Sequence, residues 1–165
     1  RSISCLYEES DCVSVKENLS ALGLTLPTAA APVAAYVPAV KSGNLVYTAG
    51  QLPVVDGKLV KEGKVGSDVT AEDAKELAQI CALNALAAIS LVADLDQVER
   101  VVRVGGFVNC APGFTAIPGV VNGASELLIK VFGDVNGKHA RTAVGVAELP
   151  LNAPVEIELI VQLKN

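Results

Sequence analysis

No methionine occurs in the 165 residues, tryptophan is also absent, and only 1 histidine is present. The missing Met means that the first residue is not an ordinary initiator. Residues Arg1 to Cys12 are more polar than the remainder of the chain. Residues 1–13 therefore read as a leader or appended segment, and 14–165 as a single domain. Two accounts of the boundary stand open: Val13 marks an initiation codon that would be read as Met, or the N-terminus is processed. One histidine cannot complete a usual zinc set, and Cys5, Cys12, Cys81 and Cys110 include no Cys-x-x-Cys pair. The thiols read as reduced, in a cytoplasmic protein without metal or cofactor. No apolar run approaches the ~18 residues of a membrane-crossing helix, and no charged-then-apolar signal segment opens the chain. A basic cluster is also missing. The net charge is −5, whereas nucleic acid requires compensating Lys and Arg. Neither nucleic acid nor membrane is an expected partner.

Apolar side chains are abundant: 51% of residues, with only 4% aromatic. Ala and Val dominate, which suits a compact sheet-and-helix core in one domain. The same excess suits a subunit that buries part of its surface in an oligomer. Ser14-Val15-Lys16-Glu17 is a capping box opening a short helix that Gly23 stops. Val33 to Val40 and Leu45 to Ala49 read as strands, followed by an Asp56-Gly57 turn between short apolar pairs. From Thr70 to about Ala93, Ala74, Leu77, Ala78, Cys81, Ala85, Ala88, Ile89 and Val92 recur at helical spacing. Leu83, Leu86 and Leu91 widen that stripe, as second-layer core or as contact with another subunit. Val98 to Asn109 reads as a strand whose Gly105-Gly106 marks a bulge or close backbone packing. That pair lacks the strand, Gly-rich loop and helix context of a nucleotide site. A second helix runs from about Val120 to Phe132, with Gly133 placed to cap it. The order predicts an α+β fold, a mixed sheet with two helices packed on one face.

Lys138 to Leu163 carries the chemistry. Residues 138–150 and 155–161 both alternate with period two, as half-buried strands do. Arg141, Ala143 and Gly145 share one face of the first run, so the guanidinium projects among small residues, as in an anion pocket. Glu156 and Glu158 are the carboxylates expected beside it. His139, two residues before Arg141, has no assignable Ser/Asp or Cys/Asp arrangement and reads as a surface residue at the start of the strand.

Ala140-Arg141-Thr142-x-Val144, Leu149-Pro150 and Val155-Glu156-Ile157-Glu158 resemble the C-terminal signature of the Rid/YjgF family, the reactive-intermediate enamine/imine deaminases. Tyr36-Val37-Pro38-Ala39-Val40 and residues 43–53 resemble its N-terminal signature, and Val121-Asn122 a third position. The resemblance spans about Pro32 to Gln162. It implies a chorismate-mutase-like fold assembled as a homotrimer with pockets at subunit interfaces. It also implies cofactor-free hydrolysis of 2-aminoacrylate-type imines to a 2-keto acid and ammonia. Arg141 would then grip the substrate carboxylate, and Glu156 would place the water and take its proton. Tyr36, Gly50, Asn122 and Ala143 would line the pocket. Ala49, where Ser is usual, and Ala143, where many deaminases carry Cys or Thr, favour an alternative: a small-carboxylate or keto-acid binding module without turnover. Ribonuclease activity, assigned to some relatives, fits an acidic chain poorly. Arg141 and Glu156 also admit purely structural roles, as an ion pair or as an orienting contact.

Overall fold

The computed structural model describes residues 13–32 and 34–165. Almost all of the expected leader, with Cys5 and Cys12, lies outside the described residues, as does Val33. Helix α1 (Val15–Ala21) opens on the expected capping box: Ser14 Oγ accepts from Glu17 N at 3.1 Å, and Ser14 N donates to Glu17 Oε2 at 3.1 Å. Seven residues are too few for a stable isolated helix. Two long-range bonds pin it, Asn18 Nδ2 to Val131 O and Val15 N to Asp96 Oδ1, both 2.8 Å.

Strands β1 (Ala39–Ser42) and β2 (Leu45–Thr48) pair antiparallel. The strand expected from Val33 is shorter than its apolar run: residues 34–36 are bends, and pairing begins only at Ala39. Pro38 has no N–H to give to a ladder, and Tyr36 and Val37 remain exposed. A small hairpin follows, β3 (Val54–Val55) and β4 (Lys58–Leu59). Its Asp56-Gly57 turn takes positive φ at both central residues, 50° and 77°, as a two-residue hairpin loop requires.

Helix α2 (Ala71–Ser90) starts at Thr70, whose hydroxyl accepts from Asp73 N at 3.1 Å. Its predicted stripe is buried as far as Ile89, and Leu83 and Leu86 join the core. Val92 and Leu91 fall beyond the helix end and are exposed. Strand β5 (Val98–Asn109) is followed by α3 (Ile117–Asn136), β6 (Ala140–Val146) and β7 (Val155–Leu163). Helix α3 outruns its predicted ends. Gly133 does break the helical path, at φ 88°, but one more turn follows it.

The two final strands do not pair with each other. The sheet order is β1-β2-β7-β5-β6, with β5 and β6 parallel and the other neighbours antiparallel. A parallel pair needs a crossover, and α3 supplies it. Helices α2 and α3 pack on each other and on one face of the sheet, with α1 against α3. Gly105 and Gly106 mark close packing rather than a bulge; the register shifts lie earlier, between Val98 and Arg103. A Cβ on Gly106 would come within 2.5 Å of Val121 Cγ2 on α3, and one on Gly105 within 2.7 Å of Glu158 Cγ on the other face. The mixed sheet with helices on one face is thus as predicted, with α1 as a third helix. No helix among the described residues covers its other face. Among the described residues no helix is long and apolar enough to cross a membrane.

Candidate functional site

Arg141 lies on the edge strand β6, in register with Val104, which is in register with Leu159 on β7. Val104 and Leu159 are core, so Arg141 leaves the sheet on its helix side. There α3 presents Asn122 and Ser125, three residues apart on one face. Arg141 Nη1 donates to Asn122 Oδ1 at 2.7 Å and to Ser125 Oγ at 3.2 Å, while Nη2 reaches Pro118 O at 3.5 Å. Those bonds occupy three of the five guanidinium N–H donors. The Nε hydrogen and one Nη2 hydrogen have no acceptor among the described residues. Every partner is uncharged, and no ion pair of the described residues includes Arg141. Ala143, half-buried and packed against the core, is the next residue of β6 on that face. The result is a fixed, half-exposed cation beside a small side chain.

Glu156 lies elsewhere. It alternates with buried Val155 and Ile157 on β7 and is in register with Phe107, so it projects from the face of the sheet opposite the helices. The expectation that Glu156 and Glu158 flank Arg141 is therefore corrected: β5 separates the two strands, and the carboxylates take the opposite parity. Glu156 packs instead on Gly50, where any Cβ would overlap its carboxylate. That segment is held by reciprocal bonds, Gln51 N to Ile157 O at 2.8 Å and Ile157 N to Gln51 O at 3.0 Å. Ala49 N donates to Pro38 O at 2.8 Å, which brings the stretch carrying Tyr36 alongside. Tyr36 itself is 49% exposed. Burial, then the neighbouring Glu158 carboxylate, raises the Glu156 pKa above its ordinary value. A proton acceptor of strengthened basicity thus stands next to a close backbone approach.

His139 is half-buried rather than on the surface, with Nε2 2.9 Å from Ser125 Oγ and Nδ1 2.7 Å from Gly137 O. Two signals in the chain point to it: His139 and Arg141 share strand parity, and Asn122 and Ser125 share a helix face. Cys81 is fully buried and its Sγ approaches Val155 O at 3.7 Å; burial, then Glu156, pushes its thiol pKa up, the opposite of an activated nucleophile. Among the described residues, no three His, Cys, Asp or Glu side chains gather where they would hold a metal ion.

A family profile described as "YjgF/chorismate mutase-like, putative endoribonuclease" matches residues 16–163. Protein TCP17 of Trypanosoma cruzi is 44% identical over 152 residues, covering 92% of this chain and 95% of its own. A 2-iminobutanoate/2-iminopropanoate deaminase of Dermatophagoides farinae is 32% identical over 141 residues, covering 86% of this chain and 95% of its own. The crystal structure of Atu1372 from Agrobacterium tumefaciens superposes with a TM-score of 0.83 at 45% identity, covering 91% of this chain and 93% of that one. With its α+β mixed sheet, its helices on one face and these relatives, the chain belongs to the YjgF/Rid family.

Proposed function

We propose that the protein is a cofactor-free enamine/imine hydrolase acting on small 2-imino acids of the 2-aminoacrylate type. The observation that carries this is Arg141: a half-exposed guanidinium that, among the described residues, is held by neutral acceptors alone, with two N–H donors left for an incoming carboxylate. Water adds to the C=N carbon of the bound imine, the nitrogen is protonated, and ammonia leaves as the C=O bond forms. Glu156 takes the proton from the attacking water and returns it to nitrogen, a role its raised pKa suits. Within one protomer Arg141, Asn122 and Ala143 lie on one side of the sheet, and Glu156 and the adjoining Gly50 on the other. Both sets act on one ligand only across a subunit interface. Such an interface joins two different surfaces, and a homotrimer closes it into a ring with three equal pockets. Deaminase-named relatives at about a third identity support the reaction class.

The test is paired. Arg141→Lys should weaken binding of pyruvate or 2-oxobutyrate by roughly 1.5–3 kcal/mol, since Lys keeps the charge but loses the fork. Glu156→Gln should bind as before yet hydrolyse an enzymatically generated imine about 10²-fold more slowly. Unchanged affinity in Arg141→Lys, or a full rate in Glu156→Gln, overturns the respective role. Ala143 gives the pocket wall no polar group beside Arg141, and this favours one second reading, a keto-acid binding module. It prevails if wild-type protein binds keto acids without accelerating hydrolysis. Endoribonuclease activity is not proposed, because a net charge of −5 opposes polyanion binding.

A further inference from the structure

The bonds behind Arg141 have a forced direction. A guanidinium only donates and a carbonyl only accepts. Gly137 O, 2.7 Å from His139 Nδ1, therefore places the imidazole proton on Nδ1. Nε2 of the neutral ring is then a bare acceptor, and Ser125 Oγ, 2.9 Å away, donates its hydrogen to it. This turns the serine lone pairs toward Arg141 Nη1 at 3.2 Å. The chain runs one way: Arg141 to Ser125, Ser125 to His139, His139 to the Gly137 carbonyl. Ser125 is only 9% exposed, so water offers no ready substitute for these partners.

We propose that Ser125 and His139 are positioning residues of the anion site, a relay that fixes the Arg141 guanidinium with its Nε and Nη2 edge toward the ligand. The inference rests on reading Arg141 as the carboxylate receptor. Asn122 holds one Nη1 hydrogen and Pro118 O, at the long distance of 3.5 Å, holds Nη2 only weakly; the serine bond fixes the second Nη1 hydrogen and with it the plane of the fork. A neutral His139 is essential to the direction, because an imidazolium would donate from Nε2 and displace the serine hydrogen. Burial of the ring, opposed by the Gly137 bond and reinforced by the Arg141 charge, keeps its pKa below the ordinary 6.5. Arg141 on β6 is the cation that acts on the ring, and the adjacent Lys138 is paired with Asp134 at 3.0 Å.

His139 is the single histidine of the chain, so its ring signals are unambiguous in a nitrogen-correlated NMR spectrum of the intact protein. At pH 7.5 the spectrum should show the Nδ1-protonated tautomer. A proton on Nε2 overturns the relay. Calorimetric titration with pyruvate then compares wild type, Ser125→Ala, His139→Ala and His139→Gln, with thermal melting to confirm folding. Removing either relay member should weaken binding about three- to tenfold, the effect of one modest hydrogen bond. Gln restores an acceptor near the Nε2 position and should recover most of the loss. Wild-type binding with unchanged affinity in Ser125→Ala overturns the positioning role alone, and so does a Gln variant no better than Ala. No binding by wild type overturns the receptor reading and the relay's role together. Should Ser125→Ala fail to fold, the tautomer and the His139→Gln recovery still decide.

Discussion

Glu156 is a carboxylate half removed from water, with Glu158 two residues along the same strand face, and both surroundings disfavour its charge. Its folded pKa is raised above 4.5, so between that value and the raised one the native protein binds more protons than the unfolded chain. Stability therefore falls as pH climbs through the window, and the full cost is present above it. Glu156→Gln removes the charge without changing the shape. The variant should melt at a higher temperature than wild type at pH 7.5, with the two curves converging toward pH 4. Equal melting temperatures at pH 7.5 would show that the carboxylate is not strained in the fold. Here the sequence was half legible. Strand alternation placed Glu156 opposite Val155 and Ile157, and Arg141 among small residues, both as found. What alternation within each strand does not reveal is that β5 inserts between them and that their parities diverge. His139 was opaque for a related reason: its partner Ser125 is contributed by α3, 14 positions earlier.

At the level of elements, local chemistry was the readable part. The capping box at Ser14, the Asp56-Gly57 turn and the α2 stripe each depend on near neighbours, and each forms. Errors gathered where tertiary partners decide: the strand expected from Val33 begins at Ala39, and α3 extends to Ile117 and Asn136. The Gly105-Gly106 pair leaves a bulge and close packing both open in the sequence; the fold selects close packing, with the Glu158 side chain approaching Gly105 and α3 approaching Gly106. That approach gives a test of the α3–β5 contact. Gly106→Ala forces a methyl toward the fully buried Val121 and should destabilise by about 1–3 kcal/mol, the usual cost of overpacking. Adding Val121→Ala to the same chain opens the space again. In urea melts the double variant should be less destabilised than the sum of the singles, with a coupling of about 0.5 kcal/mol or more. Simple additivity would mean that the helix yields elsewhere and the glycine is not what sets its distance.

For the whole molecule, the telling feature is asymmetric coverage. Helices seal one face of the five-stranded sheet, while the other presents Val40, Tyr47 and Val144, 50%, 43% and 39% exposed, with Phe107 and Ile160 half-covered. The row from Val40 through Tyr47 to Ile160 and the pair Phe107 and Val144 bracket Glu158 and Thr142, so apolar bands flank a polar centre. Exposed apolar bands around a polar centre, on a domain whose helix-side core is already complete, are expected to belong to an interface, which pairs apolar and polar surface. The proposed homotrimer covers them and delivers Glu156 of one copy to Arg141 of the next. Tyr47→Asp places a charge in that interface without touching the helix-side core or any proposed pocket residue. Light scattering at micromolar concentration should give wild type the mass of three 16.9 kDa chains and Tyr47→Asp that of one. Val135→Asp, at a position 78% exposed on the last turn of α3 and off the sheet, should stay trimeric. The same samples join assembly to chemistry. If the pocket is shared, the Tyr47→Asp monomer loses imine hydrolysis although Arg141 and Glu156 are both present. A monomer with full activity would mean that each protomer's site is complete, and the two-copy pocket would be abandoned.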